Sequence, residues 1–583
     1  MVVAFRKHTK LLPRSGLWPI IYMFRGTDAM SEWNNLCTMH RSQSERFGNR
    51  VAMRHPQDGL YHDLAWNSYR RQADQAASGL IDLGIQIGDR VAILSENRFE
   101  WLIADHAILS SGGADVPLHA PLSPKQVEYQ VGHSEARGIM VGDQAQADKV
   151  FAVLDNLPSL EFLISFDEID VPNCRLKTLT WQGLKHHSGT ISIQEIARRE
   201  ASLEETSLAT IIYTSGTTGN PKGVMLSHGN LLCNAKSTSD ISFVSTDDVL
   251  MSWLPYSHIY ARTVDHYLTS IGGLTVVLAE SVDTLMDNIK QVQPTWLTAV
   301  PRVYEKVWNA VGTLDQENRT SALRSIFGSR VKQLTSGGAP LPRYIAEGFF
   351  ESGIPLLEGY GLTESSPVIA FNSIENYRLG SVGQALGDVD VQISDAGEIL
   401  TKGPHVMTGY WKNPDATTET IVDNWLHTGD VGRLDEDSYL FITDRMKDLF
   451  VTSAGKNIAP AELERILSRD KFIDQAVVYG DGRQFVSALI VPSFEKIQTL
   501  ADENGWTIES DNELITTPEL LAFLDERVQA IMQQVSQPER VKRFLTLARP
   551  FQVEDDELTA TLKVRRRHII SRYEAYLAAL YEN

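Results

Sequence analysis

The stretch Ile211-Ile-Tyr-Thr-Ser-Gly-Thr-Thr-Gly-Asn-Pro-Lys-Gly223 decides the reading of this chain. It opens on apolar, strand-favouring residues and runs straight into hydroxyls and glycines that close on a lysine and a last glycine. Glycines let successive backbone N–H groups converge on one anion, hydroxyls add donors, and the lysine brings a point charge, which is what a polyphosphate requires. Thr214, Ser215, Gly216, Thr217, Thr218 and Lys222 are therefore the candidate phosphate-binding residues. The G-x-x-x-x-G-K-[ST] spacing is absent, which excludes a P-loop NTPase. A plain polar turn accounts for Gly219-Asn-Pro221 but not for the whole run after a buried strand.

Outward from this loop, helix-like and strand-like stretches alternate. Trp66, Tyr69, Ala73, Ala76, Leu80 and Leu83 recur at helical spacing up to Gly84, and Arg90-Val-Ala-Ile-Leu94 follows as a short apolar strand. A second helix runs from Phe99 to Leu109, and similar pairs recur at Gln126 to Val141 and Leu274 to Val300. Such alternation predicts an α/β chain with largely parallel sheets. Leu160 to Glu205 is less regular and reads as a connecting region. After Asp430 the texture turns to short strands, Tyr439 to Thr443 and Asp448 to Thr452, then a helix from Ala461 and a strand near Gln475 to Tyr479. The expected division is an N-terminal extension over residues 1–44, a large domain over 45–443, and a small α+β domain over 444–583 ending in a basic helical tail, Lys563 to Tyr581.

Composition narrows the function. With 583 residues, 43% hydrophobic and 22% charged, the chain is an ordinary globular protein of more than one folded unit. No run reaches the roughly 18 apolar residues needed to cross a bilayer, and Leu17 to Phe24 is broken by Pro19. A net charge of −20 disfavours a nucleic-acid partner. Cys37, Cys174 and Cys233 are widely spaced, so neither a disulfide framework nor a structural zinc site is indicated, and a cytoplasmic location fits. The tail Lys563, Arg565, Arg566, Arg567, His568 reads as a solvated basic face, with peripheral membrane contact the alternative.

The decapeptide Thr214 to Gly223 resembles the signature loop of the adenylate-forming superfamily: acyl-CoA synthetases, luciferases and adenylation domains. Further resemblances follow in family order. Ser336-Gly-Gly-Ala-Pro-Leu341 is similar to the adenine-site segment, with Gly338 and Ala339 at its centre, and Tyr360-Gly-Leu-Thr-Glu364 to the aromatic-to-acid motif. His427-Thr-Gly-Asp430 is similar to the ribose-binding segment, Asp444-Arg-Met-Lys-Asp448 to the interdomain hinge, and Leu558-Thr-Ala-Thr-Leu-Lys563 to the catalytic-lysine loop. In that last loop Ala560 stands where the family pattern has proline. The resemblance implies a large domain of α/β subdomains with mostly parallel sheets plus a β-barrel-like subdomain, and a small mobile α+β C-terminal domain.

It also implies a chemistry and a cast. A carboxylate attacks the α-phosphorus of ATP, expelling pyrophosphate, and coenzyme A then takes the acyl group. The nucleophile is already ionised, so the protein's task is positioning and charge neutralisation. By resemblance, Lys563 reaches the α-phosphate, while Glu364 with Thr214 holds Mg2+. Tyr360, Gly361, Thr363, Asp430 and Arg445 belong to the nucleotide site, Lys447 is the hinge residue, and Ser453, Ala454 and Gly455 line the CoA tunnel. Ser252-Trp-Leu-Pro-Tyr-Ser-His258-Ile-Tyr-Ala-Arg262, Val300-Pro-Arg-Val-Tyr-Glu-Lys306 and the ending Tyr573-Glu-Ala-Tyr-Leu-Ala-Ala-Leu-Tyr581 resemble the long-chain fatty acyl-CoA synthetase branch, placing His258 beside the substrate carboxylate and making Trp253 either a tunnel gate or a packing residue. The stretch from Val307 to Thr335 is shorter than in that branch, so medium-chain, aryl or unusual acids stay open, as does a carrier protein in place of free CoA.

Overall fold

The computed structural model describes residues 33–187, 191–214, 220–446, 450–452, 457–511, 513–553, 555–558 and 564–581. Asn34–Asn583 form one compact unit. The helix Leu36–Phe47 crosses the expected boundary at residue 44, because Leu36, Cys37 and Met39 are wholly buried and hold it in the core.

Two large sheets organise the chain. The nine-stranded sheet runs, edge to edge, Gln384–Ala385, Val368–Phe371, Leu356–Gly361, Gln333–Ser336, Trp296–Ala299, Val249–Ser252, Thr275–Leu278, Val51–Gln57 and Leu60–Ala65. Its interior pairings are parallel and its margins antiparallel. The eight-stranded sheet runs Gly409–Tyr410, Lys222–Ser227, Leu208–Thr214, Ala114–Leu118, Arg90–Leu94, Gly138–Val141, Phe162–Ser165 and Lys177–Thr180. It is parallel except at Lys222–Ser227, which pairs antiparallel with both of its neighbours. Strands buried on both faces must be apolar throughout, and Val91 to Leu94 are fully buried accordingly.

The irregular region Leu160 to Glu205 is more structured than its sequence suggests. It adds the strands Phe162–Ser165 and Lys177–Thr180 to the sheet and the helices Trp181–His186 and Ile193–Ser202 over it. Each element is too short to show a period, and pairing with Gly138–Val141 decides the first of them.

One core cluster takes side chains from both sheets, including Val91 and Ile93 from one and Met53, Val276 and Leu278 from the other. Between them runs the helix Phe99–Ser110, buried from Glu100 onward on every side. A helix buried all round must pair the charges it carries, and Glu100 meets Arg98 while Asp105 meets Arg262. Beside it lies a π-helical turn, Arg262–Leu268, also wholly buried.

Where the barrel-like part is expected lies a five-stranded antiparallel sheet built on Trp425–Leu434, with Leu440–Arg445 as its last strand. The C-terminal region carries a three-stranded sheet, Ile473–Tyr479, Val486–Pro492 and Val541–Thr546, covered by the helices Pro460–Leu467 and Pro518–Ile531. The basic tail forms two short helices, Arg566–Arg572 and Glu574–Ala579.

Candidate active site

The residues singled out in the sequence cluster where parallel strands end. Thr214 closes Leu208–Thr214, Gly338 and Ala339 lie exposed just past Gln333–Ser336, and Tyr360 to Glu364 end Leu356–Gly361. In open α/β sheets the crevice beyond the carboxyl ends of the strands is the usual place for a ligand.

The phosphate loop is the tip of a β-hairpin. Thr214 pairs with Lys222 and Tyr213 with Gly223 across its neck. Ser215, Gly216, Thr217 and Thr218 lie outside the described residues, as do Lys447, Ser453, Ala454, Gly455 and Lys563. Leu558 and Val564 pair antiparallel on either side of the lysine loop, so its ends are held together.

A second segment clamps the hairpin. Gly409 and Tyr410 pair with Met225 and Val224, and the Trp411 amide donates to the Gly223 carbonyl at 2.7 Å. The Met407 amide donates to the Glu364 carbonyl at 2.9 Å, joining this segment to the acidic motif. Side chains repeat the link: the Tyr410 hydroxyl donates to Glu364 Oε1 at 2.8 Å, and Lys222 Nζ stands 4.7 Å from the Tyr410 ring centre. Burial, then the Glu364 charge, pushes the Tyr410 phenol up, so it keeps its proton.

Glu364 sits in a single 3-10 turn, Thr363–Ser365, and the bend before it requires Gly361. A side-chain carbon there would lie 1.7 Å from the Pro367 carbonyl oxygen. Four residues before Glu364, the Tyr360 hydroxyl donates to Asp430 Oδ2 at 2.7 Å, and Arg445 Nε stands 3.0 Å from Oδ1. Asp430 and Arg445 face one another in the register of neighbouring strands. The loop carrying Asp430 is braced by Glu398, which accepts from the Gly429 amide at 2.9 Å and contacts His427 Nδ1 at 2.8 Å. Two sets of contacts result, Lys222–Tyr410–Glu364 and Tyr360–Asp430–Arg445, joined by the backbone of Tyr360 to Glu364.

His258 is half-buried, and its Nδ1 accepts from the Tyr260 amide at 3.2 Å, capping the short helix Ile259–Ala261. Trp253 donates to the Thr298 carbonyl at 2.9 Å and packs against two core clusters. At the hinge, Asp444 accepts from the Arg445 amide at 2.6 Å and from the Ala461 amide at 3.3 Å, at the start of the helix Pro460–Leu467. Of the basic tail, Arg565 pairs with Asp556, Arg566 with Glu464 and Arg572 with Glu513, so these arginines are ion-paired rather than a merely solvated face.

The sequence pass did not isolate the buried charges behind the hairpin. Arg262 holds Asp105 at 2.5 Å and Asp115 at 2.8 Å and donates to Thr210 at 2.8 Å on the strand that leads to Thr214. His266 and Tyr267 complete the set on Asp105 at 3.0 and 2.9 Å. Burial raises the Asp115 carboxyl to about 7, helped by Asp105, while against its own burial Arg262 keeps Asp105 low. Arg262, Asp105, Asp115 and Glu398 look ordinary in sequence, since nothing local marks a charge as buried.

Comparison with known proteins agrees with this geometry. Residues 40–411 match the model of the AMP-binding enzyme family, and residues 447–583 match that of the AMP-binding enzyme C-terminal domain. The chain belongs to the AMP-binding enzyme family. Among its relatives is the long-chain-fatty-acid–CoA ligase FadD15 of Mycobacterium bovis, 33% identical, with 90% of this chain and 93% of that one covered. Fatty acyl-CoA synthetase A of Dictyostelium discoideum is 30% identical, with 90% and 87% covered. The crystal structure of the anthranilate CoA ligase AuaEII in complex with anthranoyl-AMP shares the fold at a TM-score of 0.76 and 19% identity, covering 94% of this chain and 98% of that one. This AMP-binding enzyme has the fold expected from its sequence, mixed α/β with mostly parallel sheets and a C-terminal domain.

Proposed function

We propose that this AMP-binding enzyme joins a long-chain fatty acid to coenzyme A in two steps. The acid's carboxylate attacks the α-phosphorus of ATP, forming an acyl adenylate and releasing pyrophosphate. The CoA thiolate then attacks the acyl carbonyl, and AMP leaves. The observation that carries this is the pair of contact sets Lys222–Tyr410–Glu364 and Tyr360–Asp430–Arg445, joined by the short segment Tyr360 to Glu364, which supports reading a lysine for phosphate, an acid for the cation and an acid for ribose side by side. The acyl class is supported by the two fatty-acid relatives, whose names specify such substrates.

Each side chain has a task in this scheme. Lys222 and the hydroxyl loop take the departing phosphates, and Asp430, set by Tyr360 and Arg445, accepts ribose hydroxyls. Lys563 neutralises charge as carboxylate and α-phosphate meet. His258, half-buried with Nδ1 on the helix cap, stands beside the acid's carboxylate in this scheme. Lys447 and residues 453–455 serve the thioester pose, for which the small domain turns about the Asp444 hinge.

The residues present fit a magnesium ion. Glu364 has one oxygen on Tyr410, and among the described residues nothing donates to the other, while Thr214 adds a hydroxyl at the hairpin neck. When bound, Mg2+ neutralises triphosphate charge. The three free thiols suit a cytoplasmic location, and among the described residues no helix is long and apolar enough to cross a membrane.

The test is mass spectrometry of AMP and acyl-CoA formed from Mg·ATP, CoA and acids of graded length, beside Lys563→Ala. Thioester and AMP should peak with long chains and nearly vanish in the variant. Acyl-AMP without thioester would point to a carrier protein as acceptor, and no turnover with any acid would defeat the reading.

A further inference from the structure

Tyr410 belongs to none of the sequence motifs, yet it touches two of them. Its backbone is in register with the second strand of the phosphate hairpin, Tyr410 opposite Val224. Its hydroxyl donates to Glu364 Oε1 at 2.8 Å, and its ring lies 4.7 Å from Lys222 Nζ. The Tyr410 main chain is fixed, since Thr417 Oγ1 accepts from the Tyr410 amide at 2.9 Å and the Asn413 carbonyl accepts from Thr417 Oγ1 at 2.9 Å. The same segment binds the Glu364 main chain through the Met407 amide.

We propose that Tyr410 is a positioning residue for adenylation, which sets the Glu364 carboxylate toward the cation and holds the Lys222 ammonium toward the phosphates. The proposal rests on the reading of Glu364 as the metal-facing acid.

The chemistry follows from each contact. A carboxylate that gives one oxygen to a fixed phenol has its torsion set, so its second oxygen meets a cation in one geometry rather than many. A hydrogen bond to a charged group is among the stronger ones, so its loss should be measurable. An ammonium over an aromatic face is held without a counter-charge, which leaves the lysine's full charge for an incoming anion; a carboxylate partner in its place would have cancelled it. The phenol hydroxyl is the donor of this pair, and Glu364 Oε1 accepts from it. One side chain therefore couples the position of the anion-binding charge to that of the cation-binding charge, and the two must match when a metal–triphosphate complex enters.

The experiment uses the full chain and two variants. Tyr410→Phe keeps the ring and removes the donor; Tyr410→Leu removes both. Adenylation is read by ATP–pyrophosphate exchange against free Mg2+, and metal binding by Mn2+ electron paramagnetic resonance with ATP present, without acid or CoA. Thermal unfolding checks that each variant is folded. For Tyr410→Phe, exchange should fall about tenfold and Mn2+ affinity by a similar factor, with KM for ATP little changed. Tyr410→Leu should add a rise of about fivefold in KM for ATP through loss of the ring beneath Lys222. In a Glu364→Ala background, Tyr410→Phe should cost nothing further, because its acceptor is gone. Wild-type exchange and Mn2+ binding in Tyr410→Phe, or full additivity with Glu364→Ala, would overturn the assignment. Failure of the wild-type enzyme to exchange pyrophosphate with any acid would instead strike the proposed function, before the variants are compared.

Discussion

Tyr360 donates its hydroxyl to Asp430 across 2.7 Å, joining the end of the nine-stranded sheet to the five-stranded one. Asp430 is otherwise met by Arg445 on its second oxygen, and its side chain is 7% exposed against 61% for the arginine. The tyrosine, half-buried, is therefore the directional partner, and the largely exposed arginine the screened one.

Replacing Tyr360 by Phe should raise KM for ATP about tenfold or more, since a hydrogen bond to a charged group contributes about 1.5–3 kcal/mol. Arg445→Ala, a largely exposed pair, should shift KM only a few-fold. Steady-state kinetics on ATP distinguish the two; equal effects would refute this ranking.

Gly361→Ala should be far worse than its size suggests. The added carbon would sit 1.7 Å from a backbone oxygen, which cannot rotate away as a side chain could, so the turn carrying Glu364 must shift. We expect a thermal midpoint several degrees lower and loss of most pyrophosphate exchange. Calorimetry and exchange assays on the purified variant check both.

Arg262→Met should destabilise the protein by about 3–5 kcal/mol, because it leaves Asp105 and Asp115 buried without their cation. Adding Asp105→Asn and Asp115→Asn should restore part of the loss. Urea denaturation of the single and triple variants measures this, and a triple variant no better than the single would contradict it.

His228 is wholly buried, and burial lowers its ring to about 4. Unfolded, it titrates near 6.5. Below that pH the unfolded chain takes up a proton that the folded one refuses, so stability falls as pH drops from about 6.5 to about 4, by roughly 3 kcal/mol for this group. Above 6.5 both states are neutral and the group contributes no slope. His228→Leu should flatten the acid limb of a plot of thermal midpoint against pH; an unchanged slope would refute the assignment.

Local chemistry made much of this protein legible in its sequence. A strand that runs into hydroxyls, glycines and a lysine can serve few ends, and the hairpin from Leu208 to Ser227 has that form. The helix and strand periods at 66–94 and 99–118 likewise fix their own elements, because burial on one face or on all faces is written in residue spacing. What the sequence determined by itself was the α/β class and the order of the nucleotide motifs.

Only the tertiary structure decided which of these groups meet. Tyr410 lies 46 residues beyond Glu364, and Asp430 lies 70 beyond Tyr360, distances at which no periodicity operates. The strands of Leu160 to Glu205 exist because Gly138–Val141 offers them an edge, not because four residues announce themselves. Arg262 is a buried charge because Asp105, Asp115 and Thr210, from three other elements, converge on it. A carboxylate or guanidinium has the same letter on the surface as in the core, and its partners, supplied from far along the chain, settle which it is.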